Sequence, residues 1–569
     1  MRATERTSSK AVSNASPPPS GGAQAEIGAP SRRAARRRRL GIPFLWTLPA
    51  ASAVVALQLV GCWPLSYSED CEDDARYCPP AATGTGGNTP DPTCDPDPTQ
   101  DASTVTERCA VFASAAAASG GDGTKARPYA SLAEAIAYAN GKRVLACSSG
   151  VFEESVTVKA PVEVIGGFDC AADWTWSEQA RSALEGPADE VALTLAEDAG
   201  GVKVQSFTIR AADATKPGGS SIGVAVADIE AELVRVDVIA GDARDGAPGE
   251  TSAAALNGAS APADVSHACV IAVYGGLPGK TTCDDGETSG GVGGLGGKPE
   301  ADEGRGQNGQ TGTPQVDPST EDGVGGVGHG QSGASTDCRS GEPGARGAAG
   351  GAGTGGSDTT LQLASIVGGD GGKGVNGSRG QGGGGGGGAK AGQFCSLGGG
   401  SFTEGAGASG GGGGAGGCGG RGGSGGKAGG SSIAIVSLGT QLALTDVTVA
   451  VGKAGNGGAG GDGSPGGAGG TGADGGDRVT ASGSIEGCPG GKGGAGGDGG
   501  PGGGGRGGHA VGIAYKVTPS AAPAEVPFEG GPAGGGGRSG FGGGDSNAGA
   551  PGVSGACWDF ATNTSCAAQ

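Results

Sequence analysis

Large side chains are scarce in this chain. Aromatic residues make up 4% of the 569 positions, and there is a single methionine. So few bulky groups cannot fill one wide core, so burial has to come from many thin layers, each with a few Val, Ile and Leu. Histidine is nearly missing: His267, His329 and His509 are the three present, far apart in sequence. No Cys-x-x-Cys pair accompanies them, which removes the usual zinc spacings, and no metal or cofactor is assigned. No Gly-x-Ser-x-Gly is followed by Asp and His in a workable order, so no serine nucleophile is assigned. Basic residues are the minority, with 38 Lys and Arg against 58 Asp and Glu. That balance repels nucleic acid and anionic membrane, and nucleic acid is not expected as a partner.

Glycine is what the chain has instead. It supplies 133 residues against 32 prolines, more than three times its usual share of about 7%. Without matching proline, a whole-chain collagen triple helix is excluded. The glycines also keep a register. They fall on every third residue at 341, 344, 347, 350, 353 and 356, and again from 368 to 386, 407 to 425, 457 to 475 and 490 to 508. A period of three matches the polyproline II helix, and faces without Cβ let such helices pack backbone to backbone. Flexible low-complexity insertions are the competing reading, and a local collagen-like trimer a third.

The first 61 residues read as a targeting segment. Six arginines lie between Arg32 and Arg39, and an uncharged apolar run extends from Ile42 to Val60. It ends in Leu59-Val60-Gly61-Cys62, which resembles the lipobox of bacterial lipoproteins, whose Cys is acylated. The resemblance implies lipidation at Cys62, a membrane partner through that lipid, and a cell-envelope location, at the outer membrane or cell surface. An uncleaved transmembrane helix is the alternative, since about 20 apolar residues can span a bilayer. Of 15 cysteines, 14 remain after Cys62. An even number in an exported chain suggests disulfides, and the near-sequence candidates are Cys71 with Cys78, Cys109 with Cys147, and Cys557 with Cys566.

Residues 62–108 are rich in Asp, Pro and Thr and read as an extended tether. Order is expected from Cys109. Ser131-Leu132-Ala133-Glu134 has the form of a capping box opening a short helix that Asn140-Gly141 stops. Short alternating runs follow at 143–147, 155–158 and 162–165. Three blocks, Gly123 to Leu132, Gly150 to Val158 and Val164 to Phe168, resemble the N-terminal part of pectin-lyase-like right-handed β-helix proteins. The resemblance implies a capping helix and first rungs over about 109–245, and fold more than activity. Gly218 to Val224 recurs as Gly429 to Ile435, each followed by a strand containing Asp-Val, with looser copies at His267 and His509. Such units bury an apolar face only by stacking.

The fold expected is therefore all-β: a right-handed parallel β-helix with a short N-terminal capping helix and long Gly-rich excursions over 246–550, ordered as polyglycine helices or loose. A Cys-containing segment at 551–569 ends the chain. The composition also resembles PGRS-type glycine-rich surface families. Carboxylates that a carbohydrate-active enzyme could use are Glu153, Glu154, Glu163, Asp228 and Asp237, with Asp284-Asp285 in a loop. They show no converging pair, so no catalytic residue is assigned. Asp462, Asp474 and Asp498 sit in fragments of a calcium-roll repeat that lack its large apolar position. Trp174, Trp176 and Trp558 are sugar-stacking candidates. The function expected is a non-enzymatic structural or adhesive envelope scaffold, with an extracellular polysaccharide or protein partner. The alternative is a β-helix polysaccharide lyase or glycoside hydrolase.

Overall fold

The computed structural model describes residues 92–315, 325–333, 337–480, 483–519 and 525–566. The expected targeting segment, Cys62, Cys71, Cys78 and the tether up to residue 91 lie outside the described residues.

The fold is all-β, with two large sheets whose strands run parallel. The first takes its strands in the order Ala110–Ala113, Arg143–Cys147, Glu163–Asp169, Val202–Ala211, Ala231–Ala240, Thr448–Val451 and Phe528–Gly530. The second runs from Val156–Val158 through Leu193–Leu195, Ser221–Val226, Ser432–Ser437 and Ala510–Tyr515 to Ser554–Asp559, closed by antiparallel Thr564–Ser565. From Val202 onward the chain visits the two sheets in turn, so each circuit adds one strand to each. One cluster between them joins Val204, Leu233 and Val238 of the first sheet to Leu195, Val224 and Ile435 of the second. The burial is layered, as sparse large side chains require. Each buried Val, Leu or Ile contributes roughly 1.5–3 kcal/mol relative to exposure.

The short helix is Leu132–Ala137, capped by the Ser131 hydroxyl, which accepts from the Glu134 amide at 3.1 Å. Its Leu132 and Ala135 enter the shared core. The Asp-Val strand expected after the second copy is two strands, Leu442–Thr445 and Thr448–Val451, because Asp446 takes a left-handed φ of 53°. Ser206 and Arg235 bend the two preceding strands at the same register position, with φ of 60° and 52°. The sequence match between Asp237 and Asp446 is therefore out of register by two residues. Asp237 pairs with Thr448.

Two other expectations are corrected. Residues 92–108 are not tether: Cys94 is bonded to Cys109, and Val105 packs with Phe112, Phe168 and Trp174 over the outer face of the first sheet. The copy at His267 forms no rung. Cys269 has φ 69° and is bonded to Cys395, and Ile271 is fully exposed. The copy at His509 does stack, with Ile513 beside Ile435. The C-terminal cysteine segment contains Ser554–Asp559, the last parallel strand of the second sheet.

Every long Gly-rich excursion leaves and returns at one corner. Ala211, Ala240, Val451 and Gly530 are successive register partners at the end of the first sheet's strands. Ser221, Ser432, Ala510 and Ser554 are successive partners at the start of the second sheet's strands. The segments 241–431, 452–509 and 531–553 all connect these two columns.

Candidate functional site

The Gly-rich segments form one hydrogen-bonded network, and the spacing of glycine decides who bonds to whom. In the run 407–430, Gly414, Gly417, Gly420 and Gly423 donate to the carbonyls of Gly491, Gly494, Gly497 and Gly500, a parallel pairing that repeats every three residues. One position on, Ala415, Cys418 and Ser424 donate to Ala259, Leu256 and Glu250, an antiparallel pairing. The third face sends Gly407, Gly410 and Gly413 to Gly297, Gly294 and Gly291. Three faces meet three neighbours, which a three-residue turn permits. At about 3.1 Å per residue this run is roughly 70 Å long.

The number of glycines per triplet tracks the number of covered faces. Residues 341–349 carry one glycine per triplet, and those glycines, Gly341, Gly344 and Gly347, donate to the carbonyls of Pro489, Lys492 and Ala495. In 382–388 all seven residues are glycine. A Cβ at Gly383, Gly384 or Gly385 would strike the carbonyl of Gly491, Gly326 or Val292 respectively, three different neighbours. Side chains survive where a face is open, and several of them accept the amides that no neighbouring run reaches. Asn376 accepts from Gly422 at 2.9 Å, Asp370 from Ala428 at 2.9 Å and Asn456 from Gly535 at 2.8 Å.

Against this frame the carboxylate candidates scatter into structural duties. Glu154 caps the helix, accepting from the Ser131 hydroxyl at 2.7 Å and the Leu132 amide at 2.5 Å. Glu153 is exposed on its strand. Glu163 lies in a cross-strand charge ladder, 2.9 Å from Arg143 and 3.9 Å from Lys203, which in turn reaches Glu232 at 3.7 Å. Asp237 accepts from the Thr448 hydroxyl at 2.6 Å, with Arg181 at 4.0 Å. Asp228 sits against Gly439 at a turn. Asp284 and Asp285 pair with Arg421 and Arg379 at 2.9 and 3.2 Å. Asp462 accepts from the Phe541 amide at 2.6 Å. Asp498 accepts from Gly466 at 3.0 Å and from Arg346 at 2.7 Å, and the Gly466 amide holds its carboxyl below the usual range. Among the described residues, no three of His, Cys, Asp and Glu gather as metal ligands, and no helix is long and apolar enough to cross a membrane.

The other candidates pack as well. Trp174 is buried edge-on to Phe112 at 4.7 Å. Trp176 lies under the Arg235 guanidinium at 4.8 Å, and Trp558 packs on the outer face of the second sheet. His509 is 1% exposed. Its Nδ1 accepts from the Val553 amide at 3.2 Å and its Nε2 lies 3.0 Å from the Thr359 hydroxyl. Burial, then the Arg506 charge, lowers its pKa to about 3, so the ring is neutral. Burial pushes Tyr515 up to about 12.

A cleft of about 590 Å³ lies beside this corner and went unseen in the sequence. Val191, Ile222 and Ile366 line it, and four of its charges are paired: Lys427 with Asp370 at 2.8 Å and Lys216 with Asp189 at 3.9 Å. The Thr215 hydroxyl and amide hold Asp189 below the ordinary carboxylate range. No sequence signal marks this cleft, because its walls come from segments far apart in the chain. Six disulfides complete the described residues. Cys557 pairs with Cys566, and in place of Cys109 with Cys147 the pairs are Cys94–Cys109 and Cys147–Cys170. Cys269–Cys395, Cys283–Cys418 and Cys338–Cys488 join separate Gly-rich segments. No protein family, curated protein or solved structure matches the chain.

Proposed function

We propose that this chain is a non-enzymatic scaffold of the bacterial cell envelope. A parallel β-solenoid serves as its base, and a bundle of polyglycine II-type helices projects from one corner of it. The pectin-lyase-like resemblance is read here as fold only. The lipobox at Leu59 to Cys62 supports a lipid anchor and a place at the outer membrane or cell surface. One observation carries the reading: the excursions all depart in register from the column Ala211, Ala240, Val451 and Gly530. That arrangement makes a supported arm, and apart from exposed Glu153 the candidate carboxylates are spent on caps, ladders, ion pairs and turns. The exposed rows of the arm offer a polar surface to an extracellular polysaccharide or protein.

The test has two arms. Full-length protein and Cys62→Ser are compared by cell fractionation and by surface labelling of intact cells. Envelope association and labelling are expected for the first and release for the second. Purified protein is then incubated with acidic and neutral polysaccharides. Turnover that disappears in Asp237→Asn, or a Cys62→Ser protein that stays in the envelope, overturns the reading.

A further inference from the structure

The sheets and the Gly-rich bundle are held together by different means. The sheets enclose Phe152, Leu184, Phe207, Ile209 and Leu233, none more than 2% exposed. Outside them the bundle has a small cluster of Ala268, Ala389, Phe394 and Ala408. Backbone hydrogen bonds, helped by exposed ion pairs such as Arg421–Asp284, hold the runs to one another, and each is modest in net free energy. Such bonding orders glycine, the residue with the most conformational freedom to lose.

The disulfides divide along the same line. Those of the sheet region close short loops, with sequence separations of 15, 23 and 9 residues. Those of the bundle close long ones, with separations of 126, 135 and 150. In the chain-entropy account a cross-link removes more unfolded-state freedom as its loop lengthens. The longest closures therefore fall where side-chain burial is least.

We propose that oxidation of Cys269–Cys395, Cys283–Cys418 and Cys338–Cys488 is a switch that orders the bundle. With these pairs reduced, the two sheets stand and the glycine runs are loose. With them closed, the runs lock together. The inference rests on the scaffold reading above and adds its regulation. Each closure breaks two S–H bonds and forms one S–S bond. The two electrons and two protons pass to an exchanging disulfide, such as glutathione disulfide or an oxidised dithiol protein, which becomes two thiols. Such an arm stays unlocked in a reducing compartment and sets in an oxidising one.

Hydrogen exchange on the full chain tests this, before and after dithiothreitol, with thiols counted by alkylation and mass. The expected result is a loss of at least about a hundredfold in protection for amides of 407–430, 455–476 and 487–508. Protection in Val202–Ala211, Ala231–Ala240 and Ser432–Ser437 should change little. A variant with the six bundle cysteines changed to Ser should match the reduced protein. A variant with Cys94, Cys109, Cys557 and Cys566 changed to Ser should keep the runs protected. Runs that stay protected in the six-cysteine variant, or sheets and runs that loosen together, overturn the switch. Runs unprotected even when fully oxidised would instead overturn the scaffold reading on which it stands.

Discussion

The Thr448 hydroxyl donates to Asp237 at 2.6 Å across 211 residues of sequence. The same separation returns outside the strands. Lys453 donates its amide to Asp242, Asn456 to Asp245, Ala468 to Asn257, and Thr471 to the Ser260 hydroxyl, each 211 residues away. The register set by the stacked strands Ala231–Ala240 and Thr448–Val451 is thus carried into the glycine runs that follow them. A rigid arm needs such continuity, because a one-residue slip would bring side chains onto a face built for glycine.

Glycine faces that meet a neighbour should not tolerate even one methyl group. A Cβ on Gly425 would overlap the Gly371 carbonyl oxygen. Gly425→Ala is expected to cost about 2–3 kcal/mol of local opening free energy, read by native-state hydrogen exchange in 407–430. At exposed Gly351 the added carbon would have only the Val375 side chain within reach, at 4.0 Å. Gly351→Ala should therefore stabilise, by about 0.4–1 kcal/mol, by narrowing the unfolded ensemble. Equal effects at the two sites would contradict the face rule.

Glu154 is a helix cap in this fold. Glu154→Ala should weaken the Leu132–Ala137 helix by about 1–2 kcal/mol in chemical unfolding. Glu153→Ala, on an exposed strand position, should stay within about 0.5 kcal/mol of the parent. A reversed order of the two would remove the capping assignment.

His509 makes the strand Ala510–Tyr515 acid-sensitive. Its folded pKa of about 3 lies below its ordinary 6.5, so the unfolded chain takes up the proton first. Stability is full above about pH 6.5, falls as pH drops toward 3, and levels off below that. The loss over this window is on the order of a few kcal/mol. His509→Gln, which does not titrate, should flatten the decline in denaturant midpoints between pH 7 and 4. An unchanged slope would show that His509 is not the group responsible.

The hairpin Thr359–Gln362 and Ser365–Gly368 covers the outer face of the second sheet through Leu361 and Ile366. Ile366 is 7% exposed. Ile366→Ala should cost about 2–4 kcal/mol and raise exchange in Ser221–Val226 and Ser432–Ser437, whose outer faces it shields. If exchange rises only within the hairpin itself, the sheet does not depend on this cover.

Several elements were legible because each leaves a local trace. The capping Ser131, the apolar strand Arg143–Cys147, which is buried on both faces and does not alternate as expected, and the 211-residue repeat that stacks Val224 on Ile435 are of this kind. The false copy at His267 shows where pattern fails. Its apolar letters match a rung, but no neighbouring strand is there to bury Ile271. The mismatch of Asp237 with Asp446 has a related cause, since a left-handed bend can hold Ser, Arg or Asp and leaves no fixed letter.

By itself the sequence determined that glycine recurs in threes and that large apolar residues come in short runs. Both follow from local sterics, since a missing Cβ and a buried Val are written into the residue itself. Only the tertiary structure decided which glycine face meets which neighbour, which cysteines pair, and that 241–431, 452–509 and 531–553 spring from one corner. Those choices rest on backbone amides and carbonyls, which are the same at every residue. Their partners are chosen by stacking register and loop closure across hundreds of residues, and no single letter records that.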